Sequence, residues 1–322
     1  MKASGSKGSH LCPVCQGPSD YLHALYDDRF GYPSQFKLFC CRACKHKSLA
    51  AEFSEKELSE LYTSYYPRAF LPLERFRPRD EVSGFRAWLN GDRRYAYSWV
   101  PKNVAILDVG CGFGETLAYH ESLGCRVYCV EADENIRRVA EHYRFNVHVG
   151  LFDPDLYETS FFDYVTLDQV VEHLRDFDQI FKGIARILKP GGWLVISTPN
   201  SNGLGARLFR SRWLHWHAPY HLEHFSARSM RQTAGKAGLV VEMVRTITSS
   251  HWLDWQWKHL ATFPDVGEPS AFWSPQRQTQ GMNAVLLGAL TVAHKLKINH
   301  FLTRVLDTLG LGDNYLFLIR KH

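Results

Sequence analysis

The sequence predicts an α/β protein, with a doubly wound, mostly parallel sheet of seven strands preceded by a small cysteine-stapled module. Three observations predict it. Two C-x-x-C pairs lie near the N-terminus, Cys12-Pro13-Val14-Cys15 and Cys41-Arg42-Ala43-Cys44. From Val104 onward, short β-rich runs alternate with helical stretches, the order that builds βαβ units. The first of those runs ends directly in three alternate glycines, Gly110, Gly112 and Gly114. The 322 residues, 45% of them apolar, supply a core for one large domain and one small one.

Residues 1–10 are small, polar and basic and read as a disordered tail. Residues 11–66 form the cysteine module, closed by a helix on which Leu58, Leu61 and Tyr62 share a face. Residues 67–101 read as a helical connector, with Phe85, Trp88 and Leu89 at helical spacing. The large domain spans 102–322. Its strands are expected at Val104–Val109, Arg126–Glu131, Asn146–Val149, Tyr164–Leu167, Trp193–Ser197 and Leu239–Ile247, with Tyr315–Ile319 closing the sheet. Lys189-Pro190-Gly191-Gly192 reads as a turn that stops a helix and launches the fifth strand. The stretches 201–225 and 248–312 interrupt the alternation as insertions.

The formal charge of +5 is spread along the chain, as a solvated surface requires, and it equally suits an acidic substrate. No nucleic-acid module with a readable signature is present, so a nucleic-acid partner is disfavoured. Apolar stretches such as Asn283 to Ala293 stop well short of the ~20 residues that cross a bilayer, and no apolar signal core opens the chain. Cys40, Cys111, Cys125 and Cys129 show no framework spacing, which fits a reducing, cytoplasmic setting.

Glycines directly after a buried strand let the backbone turn sharply and approach a ligand that a Cβ would push away. Such a loop also serves dinucleotides, but here the third glycine falls one position early. Asp108 at the strand end would repel a pyrophosphate and attract an ammonium group. The next strand ends in Glu131, where such folds bind ribose hydroxyls; a surface acid at a strand end is the plainer alternative.

Taken in order, these motifs resemble the class I S-adenosylmethionine-dependent methyltransferases, within them the group found in sugar, polysaccharide and small-molecule biosynthesis. The resemblance is carried by Ile106 to Gly114, Val130-Glu131-Ala132-Asp133, Phe162-Asp163-Tyr164-Val165 leading to Val171-Glu172-His173-Leu174, and Arg186 to Gly192 leading to Ser197-Thr198-Pro199-Asn200. It covers roughly Val104 to Val241. It implies a Rossmann-like methyltransferase fold that binds S-adenosylmethionine. Gly110, Cys111, Gly112 and Gly114 would border the methionine part, with Asp108 nearby. Glu131 and Ala132 would hold the ribose, and Asp168 and Gln169 would line the wall beside the transferred methyl. Asp153 stands where an acid often meets the adenine amino group, unless Phe152 packs on the ring instead.

Methyl transfer to a hydroxyl needs alignment and a base. Glu172 and His173 qualify, although this pair equally braces the loop in methyltransferases of unlike substrates. Gln169-Val170-Val171-Glu172-His173 is also similar to the Glu-x-x-Glu-His of metal-dependent RNA 2′-O-methyltransferases, with Gln169 in place of the first glutamate; that loss argues against a catalytic divalent ion. The run His215 to His224 is the other source, and a helical turn there would align His217, His221 and His224, with Tyr220 beside them. His221 is the expected base. A second metal site and plain packing are the alternatives.

The two C-x-x-C knuckles, 25 residues apart, suit one tetrahedral zinc ion bound by Cys12, Cys15, Cys41 and Cys44. Zinc would stabilise a module too small to fold unaided, in a structural or acceptor-binding role. Cys40 is a possible ligand out of register. Similar modules occur in some sugar methyltransferases. His251 to Trp257 and the amphipathic 282–309 region would form an acceptor pocket, or alternatively a homodimer or membrane-surface face. The reading is an O-methyltransferase of a small-molecule or sugar acceptor. N- or C-methylation, metal-assisted RNA methylation and a non-catalytic scaffold are its rivals.

Overall fold

The computed structural model of the chain describes residues 10–66, 71–273 and 284–322. The tail expected over 1–10 lies outside the described residues except for His10, which is not tail but strand. β1 (His10–Leu11), β2 (Pro18–Tyr26), β3 (Gln35–Cys41) and β4 (Lys47–Ala50) form an antiparallel meander. α1 (Glu55–Glu60) starts on a capping box, Ser54 Oγ accepting from Glu57 N while Glu57 Oε2 accepts from Ser54 N at 2.8 Å. It runs on into a π-turn at Leu61–Tyr65. The expected apolar face is only partly used: Leu61 is 1% exposed and Leu58 46%. α2 (Gly84–Asn90) turns the connector's pattern round, burying Ala87 and Leu89 and leaving Phe85 and Trp88 outside.

The large domain contains β5 (Ala105–Val109), α3 (Glu115–Ser122), β6 (Arg126–Glu131), α4 (Ile136–Tyr143), β7 (Val147–Val149), β8 (Phe162–Asp168), α5 (Phe177–Ile187) and β9 (Leu188–Pro199). It continues through α6 (Leu204–Phe209), β10 (Glu223–His224), α7 (Ala227–Lys236), β11 (Leu239–Thr246), α8 (Ser250–Ala261), α9 (Ala284–Lys295), α10 (Ile298–Thr308) and β12 (Asn314–Lys321). The seven-stranded sheet runs β11-β12-β9-β8-β5-β6-β7. Neighbours from β9 to β7 are parallel, and β12 is antiparallel to both β9 and β11. From β5 the chain winds to β6 and β7 on one side and then to β8 and β9 on the other. The crevice above the carboxyl ends of β5 and β8 is therefore the topological switch point, where such sheets bind ligands.

Two local expectations are corrected. Leu188 already pairs with Phe162 and Trp193 with Tyr164, so Lys189 to Gly192 bulges out of β9, with Gly191 at φ +78°, rather than turning between helix and strand. Cys111 and Cys129, which showed no framework spacing, are joined by a disulfide with Cα atoms 6.3 Å apart, because the loop after β5 lies over the adjacent strand β6.

The 201–225 insertion returns to the cysteine module. β10 pairs with β4, Glu223 opposite Ser48 and His224 opposite Lys47, and so becomes the fifth strand of the small sheet. Around that seam His46 Nε2 lies 2.7 Å from Glu223 Oε2. Lys47 Nζ donates to Ser201 O at 3.0 Å, Ser201 Oγ at 3.1 Å and Asn202 Oδ1 at 2.8 Å. Burial pushes the lysine down to about 8, and three acceptors satisfy its donors. The 282–309 region begins outside the described residues; within it, α10 exposes Ile298, Phe301, Leu302 and Val305. Among the described residues no helix is long and apolar enough to cross a membrane.

Candidate active site

The glycine loop leaves β5 with three consecutive left-handed glycines at alternate positions: Gly110 at φ +80°, Gly112 at +59° and Gly114 at +80°. A Cβ on Gly110 would stand 2.5 Å from Val170 Cγ2, whereas one on Gly112 would meet nothing within 4 Å. Gly110 is thus needed by the fold, and Gly112 faces open space at the switch point. Gly110→Ala should lower stability by about 1–3 kcal/mol in denaturant titrations, from left-handed strain plus overpacking. Gly112→Ala should stay within about 1–2 kcal/mol of wild type and lose affinity for S-adenosylmethionine instead; equal stability losses for both would contradict the assignment.

Asp108 at the end of β5 is 4% exposed. Its Oδ2 accepts from Thr116 Oγ1 at 2.5 Å and its Oδ1 from Thr166 Oγ1 at 2.7 Å. The carboxylate expected to attract an ammonium group also ties α3 and β8 to the glycine loop. Burial raises its pKa, partly offset by the two hydroxyls. Glu131 at the end of β6 accepts from Gly112 N at 2.7 Å and Asp133 N at 2.9 Å, one amide per oxygen. A carboxylate has about four acceptor positions, so a ribose diol can still be received, next to exposed Ala132. Asp153 is exposed and caps the turn Pro154–Leu156, its Oδ1 accepting from Asp155 N at 2.9 Å, and Phe152 is partly buried against the core.

At the end of β8, Asp168 accepts from Ala96 N at 3.1 Å, and burial pushes it up to about 6. Gln169, at φ +58°, donates to Ser197 Oγ at 3.0 Å and Asn314 Oδ1 at 2.9 Å. It lines a cleft of about 170 Å³ together with Arg29, His215, His217, His221 and Trp252. Trp255 of α8 and Trp273 line the same cleft. Trp257 of α8 packs on Phe209 instead.

The histidine run contains no helix. Leu214–Trp216 is a 3-10 turn, His217 is left-handed at φ +40°, and Glu223–His224 is strand. Turns still bring His217 and His221 together, ring centroids 4.9 Å apart. His224 is buried against Trp216, and the Tyr220 hydroxyl donates to Asp27 Oδ2 at 3.4 Å. Both belong to the seam with the module, not to the cleft wall.

His221 meets Glu172 and His173, and one ligand atom from each of the three lies within 4.8 Å of the others. His173 Nδ1 lies 2.9 Å from Tyr220 O and His221 Nδ1 2.9 Å from His215 O. A carbonyl only accepts, so Nδ1 carries the proton on both rings and each Nε2 is an acceptor. Glu172 is fully buried; its Oε2 accepts from Thr198 Oγ1 at 3.0 Å, while Oε1 has no hydrogen bond among the described residues and stands 4.0 Å from His221 Nε2. Burial pushes Glu172 up to about 8 and His221 well below its ordinary value. Three acceptors facing one point suit a shared proton or a borderline divalent cation, and the carbonyl-fixed imidazoles are how proteins orient metal ligands.

The four module cysteines also converge within 4.8 Å, with Cys12 and Cys44 sulfurs 3.5 Å apart and Cys15 and Cys41 sulfurs 3.4 Å apart. That spacing fits a tetrahedral ion at about 2.3 Å from each sulfur. Cys40 is not among them.

The chain matches the family described as "Methyltransferase domain" over residues 60–244, more than half of its 322 residues. It belongs to the class I S-adenosylmethionine-dependent methyltransferases. The family match begins beyond the cysteine pairs. Among methyltransferases, the chain is 29% identical over 139 residues to a ubiquinone biosynthesis O-methyltransferase of Thiobacillus denitrificans, covering 41% of this chain and 57% of that one. It is 34% identical over 110 residues to one of Coxiella burnetii, covering 31% and 46%. The chain spans about half the length of these curated relatives. Among solved structures it is similar to a Haemonchus contortus phosphoethanolamine N-methyltransferase (18% identity, 85% of this chain and 62% of that one, TM-score 0.48). It is likewise similar to a Streptomyces coelicolor geranyl diphosphate C-methyltransferase (15% identity, 70% and 76%, TM-score 0.44).

Arg29, Trp273 and the threonines on Asp108 are the site residues that sequence reasoning missed. No spacing rule connects a module loop to a cleft more than 180 residues away in the chain.

Proposed function

We propose that the protein transfers a methyl group from S-adenosylmethionine to a hydroxyl oxygen of a small-molecule or sugar acceptor bound in the cleft, with His221 as base and zinc held structurally by Cys12, Cys15, Cys41 and Cys44. The observation that carries it is that one cleft is lined both by Gln169, at the switch point, and by His217 and His221. The relatives' names support oxygen as the acceptor atom. S-adenosylmethionine, when bound, supplies an electrophilic methyl on a sulfonium. Glu131 would accept from the ribose hydroxyls and the loop Gly110–Gly114 would border the methionine part. With the cofactor bound, the acceptor oxygen would bond to the methyl carbon as the carbon–sulfur pair stays on sulfur, and the hydroxyl proton would pass to His221 Nε2. With Nδ1–H tied to His215 O, Nε2 is the accepting nitrogen of the ring.

A second reading is favoured by the convergence of Glu172, His173 and His221, which would hold a divalent ion supplying Lewis acidity at the acceptor oxygen. Gln169 takes no part in that cluster, being bound to Ser197 and Asn314.

The test is calorimetric titration of S-adenosylmethionine and S-adenosylhomocysteine into wild type and Glu131→Ala. Both ligands should bind wild type, and the substitution should weaken both by about tenfold or more, since it removes a charge-assisted pair of hydrogen bonds. Absence of binding to folded wild type would overturn the reading.

A further inference from the structure

Among the described residues that line the cleft, Arg29 is the one Lys or Arg side chain, and it comes from the module. Arg29 follows β2, and its backbone is fixed by Asp27, whose Oδ1 accepts from Arg29 N at 3.1 Å and Phe30 N at 2.9 Å. Its guanidinium crosses to the large domain, where Nη2 donates to Leu214 O at 2.6 Å and Cζ lies 4.3 Å over the Trp273 ring. That platform is itself held: Trp273 Nε1 donates to His259 Nδ1 at 3.2 Å, and His259 Nε2 lies 3.3 Å from Asp28 Oδ2. Asp28, the nearest acid in sequence, is therefore turned to a histidine. Arg29 Nε is buried with no partner, and the guanidinium is in no ion pair among the described residues. Asp28 and Asp27 are near enough to favour its charge, but neither stands within ion-pair distance of it among the described residues. A desolvated guanidinium bonded to one carbonyl, with donors to spare, calls for an oxyanion.

We propose that the acceptor is an anion whose carboxylate or phosphate is received by Arg29, with its body against Trp252 and Trp255, so that the cysteine module selects the substrate of the large domain. This rests on the methyltransferase reading of the same cleft. Neutral sugars and phenols would be discriminated against because they leave the guanidinium unpaired, and that penalty gives polar sites their selectivity. The two possible anions differ in charge and shape, not in how a planar fork of N–H donors receives them.

The experiment is a ligand-observed NMR titration of 4-hydroxybenzoate, phenyl phosphate and 4-hydroxybenzamide into the full chain loaded with S-adenosylhomocysteine. At least one of the two anions should bind tenfold or more tightly than the amide, and which one does so identifies the group. Arg29→Gln should remove the preference and Arg29→Lys should keep part of it. Equal binding of all three to wild type, no binding of either anion, or a preference that survives in Arg29→Gln would overturn the proposal. The wild-type comparison decides alone if the variants do not fold. Heats of S-adenosylhomocysteine binding on the same sample report separately on the methyltransferase reading.

Discussion

Cys41→Ser should unfold the module and close off acceptor chemistry while leaving the central sheet folded. A structural zinc contributes about 10–16 kcal/mol of apparent binding energy, against a typical total stability of about 5–15 kcal/mol. Loss of one thiolate therefore exceeds what the small sheet β1–β4 can absorb. The damage should not stop there. Cys12, Val14, Cys41 and Cys44 pack into the same apolar cluster as Phe225 and Met230, and β10 is hydrogen-bonded to β4. Arg29 would leave the cleft with the module. Hydrogen exchange should show protection lost over 11–66 and 214–226 and kept in β5, β8 and β9, with the zinc content down by one equivalent. Native protection of the module in zinc-free Cys41→Ser protein would refute the structural assignment.

His221→Ala should lower kcat by about 10²–10⁴, the usual worth of a positioned base, with S-adenosylmethionine affinity within about twofold of wild type. Glu172→Gln distinguishes the two readings of the cluster. If His221 acts as a base alone, metal analysis should find one zinc equivalent in wild type and in Glu172→Gln alike. If Glu172, His173 and His221 hold an ion, wild type should carry a second equivalent. Glu172→Gln should then lose it, because an amide is a poor substitute for the buried oxygen, now without a hydrogen bond, that faces His221. Unchanged kcat in His221→Ala would remove the histidine from the chemistry on either reading.

Much of the cofactor half is legible in the sequence. The strand expected at Arg126–Glu131 is β6 to the residue, and the loop from Gly110 to Gly114 has the left-handed backbone that its glycines announce. Periodicity and glycine spacing are local, and a parallel sheet repeats them in order along the chain. The acceptor half was legible only as a list of residue types. His221 was singled out as the base, but the run from His215 gave no sign that turns send His217 and His221 to the cleft and His224 and Tyr220 to the seam with the module. Phe85, Trp88 and Leu58 fit helical faces, but which side of a short amphipathic helix is buried depends on what lies against it.

The sequence by itself determined the sheet's strands, the glycine loop, the acid at the end of β6 and the grouping of four cysteines, because each is set by backbone conformation or by residue spacing within a short stretch. Only the tertiary structure decided the rest: that β10 joins the module to the domain, that Cys111 meets Cys129, that Asp108 is held by two threonines, and that Arg29 reaches the cleft. Those contacts join residues far apart in the chain, and they are settled by burial and hydrogen-bond satisfaction across the whole fold, not by any local pattern.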